Sequence, residues 1–117
     1  MTNKELLFKD LCCRLPYGVK VESCNDKGVK TIETLYNIDA DGYICTIECD
    51  TFKNIKKPYL FPMSSMTKEQ IDDYTIFISN GVMKENIIYD WLNKNHFDYR
   101  GLIDKSLAID ATGLNIY

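Results

Sequence analysis

The sequence has no run approaching the ~20 consecutive apolar residues a membrane-spanning helix needs. It has no basic run either: the densest cationic stretch is Lys53, Lys56 and Lys57. Binding nucleic acid without sequence preference depends on Lys and Arg neutralising phosphates, so that class of partner is disfavoured. The six glycines are dispersed and form no phosphate-cradling loop. No Gly-x-Ser-x-Gly elbow surrounds Ser64 or Ser65, which read instead, with Thr67, as helix caps. The opening residues, Met1 to Glu5, lead into an amphipathic stretch and not the apolar core of a signal peptide, so a cytoplasmic location is expected.

Histidine occurs once, at His96, while cysteine occurs five times. An odd cysteine count fits a reducing compartment better than a disulfide framework. Cys45 and Cys49 stand on one expected strand, where ~3.3 Å per residue separates their Cα atoms by about 13 Å. Two ligands of one zinc cannot span that distance, and adjacent Cys12 and Cys13 point to different faces of a helix. No metal and no cofactor is expected.

What is present is an ordinary globular composition. The chain of 117 residues is 45% hydrophobic and 26% charged, with eight tyrosines, five phenylalanines and a net charge of -3. Abundant aromatics argue against disorder. One domain of this length buries about 65% of its unfolded surface, enough to fold without a metal or disulfide staple.

The pattern predicts an α+β fold. Thr2 with Glu5 forms a capping box, and Leu7, Leu11 and Leu15, joined by Leu6 and Cys12, make the stripe of a helix over 1–16 that Pro16 ends. Residues 18–57 read as an antiparallel meander of three or four strands. Val19, Val21 and Ser23 alternate with Lys20 and Glu22, and turns fall at Asn25–Gly28 and Asp39–Gly42. Val29–Tyr36 and Tyr43–Cys49 supply the next strands, and a short fourth covers Thr51–Ile55; a small SH3-like barrel is a variant of the same strands. Prolines 58 and 62 make 58–66 an extended strap. A helical pair covers 67–95, with Ile71, Tyr74 and Ile78 on one face of the first helix and Ile87, Ile88, Trp91 and Leu92 as the buried stripe of the second. Residues 96–117 read as an irregular tail.

Several stretches are familiar: Asp10-Leu11-Cys12-Cys13-Arg14-Leu15-Pro16-Tyr17-Gly18-Val19, then Lys57 to Thr67 (KPYLFPMSSMT), Tyr89 to Ile103 (YDWLNKNHFDYRGLI), and Leu107-Ala108. Together they resemble a family of small hypothetical proteins common in anaerobic gut bacteria and their phages and prophages. The resemblance implies a phage or mobile-element accessory context; the family has no assigned activity, so no catalytic role comes with it.

Two segments concentrate candidate binding residues. His96-Phe97-Asp98-Tyr99-Arg100-Gly101 alternates polar and aromatic side chains, and an extended backbone would project His96, Asp98 and Arg100 to one side. The same residues equally serve structure, with Phe97 and Tyr99 packed beneath while Asp98 and Arg100 satisfy buried backbone or each other. Tyr59 and Phe61 in the strap divide the same way, as an exposed apolar contact or as packing. The expected function is a non-enzymatic interaction module that binds a host or phage protein or a second copy of itself. The alternatives are nucleic-acid binding through Lys53, Lys56 and Lys57 beside Tyr59, and a small enzyme using His96 and Asp98, or Cys24.

Overall fold

The computed structural model describes residues 2–24, 28–38, 44–46, 57–79 and 85–117. The fold is α+β. Helix α1 (Asn3–Arg14) starts where the capping box predicts: Thr2 Oγ1 accepts the Glu5 N–H at 3.1 Å and Glu5 Oε2 accepts the Thr2 N–H. It turns Leu7, Asp10, Leu11 and Arg14 inward, the i, i+3, i+4, i+7 spacing of one helical face. Leu6 and Leu15 pack at its margin, whereas Cys12 is exposed. Pro16 sits in a 3-10 turn over Leu15–Tyr17, and Gly18 takes the left-handed conformation (φ 66) that turns the chain into the sheet.

Strands β1 (Lys20–Cys24) and β2 (Lys30–Ile38) pair antiparallel, and β3 (Ile44–Thr46) pairs antiparallel with β2 across a bulge between Leu35 and Asn37. The period-two reading of β1 holds: Val19, Val21 and Ser23 are all buried. Tyr43, residues 47–49, the fourth strand expected at 51–55, and the turns at 25–27 and 39–42 lie outside the described residues.

The sheet departs from a pure meander at β4 (Lys57–Pro62), the segment read as a strap. Pro58 and Lys57 pair antiparallel with Val21 and Glu22 of β1. Tyr59 and Leu60 run parallel to β6 (Ile109–Asp110), and Phe61 and Pro62 run parallel to β5 (Phe97–Asp98). The parallel sense follows from the connection. The chain leaves β4, passes through α2 (Lys68–Ser79) and α3 (Glu85–Lys94), and must come back in the same direction, as crossovers do. The order β3-β2-β1-β4-β5 is therefore an open mixed sheet among the described residues, not a small barrel. The expected irregular tail contributes two of its strands.

The helical pair also packs differently from its aliphatic pattern. Trp91 of α3 stacks on Tyr74 of α2 at 6.1 Å, meets Phe77 edge-on at 5.7 Å and stacks on Phe97 at 5.8 Å. Aromatic contact thus draws Tyr74 and Phe77 inward and leaves Ile71 and Ile78 outside. On α3, Leu92 is buried and Ile88 and Trp91 are half-buried, while Ile87 is exposed.

The core gathers Leu7 and Leu11 from α1, Val19 and Val21 with β1, Leu35 of β2, Leu60 of β4, and Leu102 and Ala108 from the segment beyond β5. Leu60, fully buried in the strand that pairs with three others, is its centre. Leu60→Ala should cost about 2–5 kcal/mol, the range for emptying a packed leucine site. Ile76→Ala, on the open side of α2, should stay within about 0.5 kcal/mol. Urea denaturation followed by Trp91 fluorescence measures both.

Candidate functional site

The segment from Lys94 to Ile103 is organised from below by a buried charge cluster. Arg14 and Asp10 are four residues apart on α1 and wholly buried, with Arg14 Nε donating to Asp10 Oδ2 at 2.8 Å. Arg14 Nη2 donates to the Phe97 carbonyl at 2.6 Å, which ties α1 to β5. The other Asp10 oxygen accepts from Arg100 Nε at 3.1 Å. Both guanidiniums lie over the Tyr99 ring, at 5.3 and 4.9 Å from its centre, a cation–π arrangement. The Tyr99 hydroxyl donates to Asn93 Oδ1 and accepts from Arg100 Nη2. Burial, partly offset by Arg100, raises its pKa, so it remains a proton donor at neutral pH.

His96 leaves α3 in the left-handed conformation (φ 62), which for a residue with a Cβ costs roughly 1–2 kcal/mol. Its carbonyl accepts the Phe61 N–H and so begins the β4–β5 pairing. Its ring stacks on Tyr117 at 3.7 Å and 14°. The Tyr117 hydroxyl accepts the Lys20 N–H and donates to the Tyr59 carbonyl, both at 2.7 Å. By the β1–β4 register, Lys20 and Tyr59 are the next facing pair after Val21 and Pro58. The hydroxyl therefore stands between two strands at the point where their direct pairing ends. Burial pushes its pKa up and keeps it protonated in this double role.

Around this stack lies a cleft of about 360 Å³. Phe61, His96, Phe97 and Tyr117 form its aromatic lining, and Ser65, Thr67, Gln70 and Lys94 stand among its polar groups. Ser65 donates to the Pro62 carbonyl, while Thr67 and Gln70 exchange the reciprocal bonds of a capping box at the start of α2. Desolvation, reinforced by the positive charge of Arg14, lowers the His96 pKa to about 4, so its imidazole is neutral at pH 7. Its Nδ1 and Arg14 Nη1 are both buried and have no hydrogen-bond partner among the described residues.

The residues singled out in the sequence separate into two groups. His96 and Phe61 line the cleft. Asp98, Tyr99 and Arg100 do not join His96 on one side. Asp98 is buried and spends both oxygens on the Leu102 and Ile103 amides, at 2.8 and 2.9 Å, while Arg100 turns to α1. Tyr59 is buried, which removes it as a stacking platform beside Lys57; Lys57 itself is exposed at the start of β4. Lys53, Lys56, Cys49 and the side chains of Cys24 and Cys45 lie outside the described residues. Among the described residues no three potential metal ligands cluster. Sequence reasoning passed over Asp10, Arg14, Lys94 and Tyr117. The first two carried a signal, since they fall on the Leu7–Leu11 face at i, i+4; Tyr117, in aperiodic chain, carried none.

Asp10→Asn leaves two guanidiniums around a site with no carboxylate and should cost roughly 3–5 kcal/mol, against less than about 1 kcal/mol for exposed Glu5→Gln. Chemical denaturation separates the two. A pH series tests His96. Its folded pKa of about 4 lies below the ordinary 6.5, so between these values the unfolded chain binds more protons. The contribution is complete above pH 6.5 and is lost as pH falls toward 4. Stability should therefore drop from pH 7 to pH 5 in the wild type and drop less in His96→Gln; equal losses would locate the effect elsewhere.

The chain matches no family model, no curated protein and no solved structure.

Proposed function

We propose that this protein is a non-enzymatic interaction module that docks a host or phage protein on the outer face of α2 and α3. The observation that carries the proposal is that α2, twelve residues long, has no buried residue. A helix of that length is marginal alone in water and draws its stability from a packed apolar face. Here Tyr74 and Phe77 meet α3 through Trp91, while Ile71 and Ile78, one above the other at i and i+7, are 49% and 54% exposed. Ile87 on α3 is exposed as well, and exposed aliphatic residues are what a docking surface offers. The resemblance to phage and prophage proteins supports a host or phage partner.

Catalysis by His96 with Asp98 draws less support, because both Asp98 oxygens are held by backbone amides and, among the described residues, His96 Nδ1 has no hydrogen-bond partner. Nucleic-acid binding draws less as well, with a net charge of -3 and a buried Tyr59.

Photocrosslinking in the producing cell tests the reading. A benzophenone side chain at position 71 or 78 should give one discrete adduct with a second protein, and the same group at exposed Lys9 should not. Ile71→Glu with Ile78→Glu should change stability by less than about 1 kcal/mol, since both residues are exposed, yet abolish the adduct formed from a crosslinker at Ile87. A crosslinker that yields no discrete adduct at 71, 78 or 87 would sink the proposal.

A further inference from the structure

The buried cluster beneath the cleft does not balance. Two guanidiniums, Arg14 and Arg100, share one carboxylate, that of Asp10. Asp98, the buried acid two residues before Arg100, is bonded to two backbone amides and is ion-paired with neither arginine. The excess positive charge is largely desolvated, which is costly, and it is offset by the Phe97 carbonyl, by the face and hydroxyl of Tyr99 and by Cys13 Sγ, 3.5 Å from Arg100 Nη2. Its field extends into the cleft: Arg14 acts on both His96 and Tyr117 and lowers the pKa of each, against the larger upward effect of burial on Tyr117.

The cleft adds to that field. Lys94 lines it, and the first turn of α2 reaches it through Thr67 and Gln70, bringing the positive end of a helix dipole. Glu69, exposed in the same turn, is an opposing charge. The aromatic lining supplies the second requirement. His96 covers one face of Tyr117, which is still 42% exposed, and Phe61 stands against it at 5.8 Å and 57°. A volume of about 360 Å³ is at the low end of small-ligand sites. Neutral imidazole can donate or accept a hydrogen bond there without adding charge.

We propose that the cleft bounded by Phe61, Lys94, His96 and Tyr117 binds a small planar anion, an aromatic ring carrying one carboxylate or phosphate group, with the ring on Tyr117 and Phe61 and the acidic group toward Lys94. The site is separate from the outer face of α2 and α3, and its occupancy does not depend on a protein partner.

Titration of the ¹⁵N-labelled full chain at low ionic strength, read by amide shifts, tests this with benzoate, phenyl phosphate, benzamide and acetate. Benzoate or phenyl phosphate should shift the amides of residues 94–97 and 67–70 saturably, and the tighter of the two identifies the acidic group. Neutral benzamide should bind roughly tenfold more weakly, and acetate, which has no ring, should not saturate. Lys94→Gln should weaken the anion roughly fivefold, and added salt should do the same to the wild type. Lys94 is exposed, so an unchanged dispersed spectrum of the variant verifies its fold. The proposal is overturned by benzamide binding as well as benzoate, by an unchanged affinity in Lys94→Gln, or by no saturable shift from either aromatic anion at millimolar concentration.

Discussion

The Asp10 carboxylate is the constraint on which the rest of the structure depends. It is wholly buried and receives Arg14 on one oxygen and Arg100 on the other. Through Arg14 it fixes the Phe97 carbonyl, and through Arg100 it fixes the Tyr99 hydroxyl, so one helix of the first fourteen residues sets the path of residues 97–100. Burial of such a cluster gains little over a well-packed apolar one, since desolvation offsets most of the Coulomb attraction. What it does supply is direction. Leucines in its place would pack in several ways, whereas a shared carboxylate with fixed donors accepts one.

A second constraint acts at the other side of the same segment. The sheet narrows where β1 and β4 stop pairing, and Pro58 offers no N–H there. The Tyr117 hydroxyl satisfies the next donor and acceptor in place of a direct bond. The ring on that hydroxyl then becomes the surface on which His96 rests. Backbone satisfaction and the making of the cleft wall are thus one event, carried by one side chain.

Local signals were legible in the sequence, and long-range ones were not. The capping boxes at Thr2 and Thr67 are complete within four residues, so their residues alone reveal them. The burial of Val19, Val21 and Ser23 follows from a period of two with one face turned to the core. Strand β4 read as a strap because its two prolines and unbroken apolar run hide any alternation; its partners Phe97 and Ile109 are distant in the chain. Asp10 and Arg14 were passed over, because charge is the commonest mark of an outer face. Their position on the Leu7–Leu11 line spoke otherwise. For the cleft, the concentration of polar and aromatic residues drew attention to His96 and Phe61, which both line it, but which neighbours pointed the same way depended on the left-handed turn at His96.

The placement of β4 has a consequence for the order in which the chain can fold. Strands β1 and β2 are neighbours in sequence and close a hairpin early, and β4 can join the edge of β1 soon after. Its other edge has no partner until β5 and β6 have been synthesised, with two helices in between. During translation at roughly 5–20 residues per second, that leaves an apolar strand edge open for several seconds. Pro58 and Pro62, which weaken β4 as a ladder, also make that waiting edge a poor template for strands of other chains.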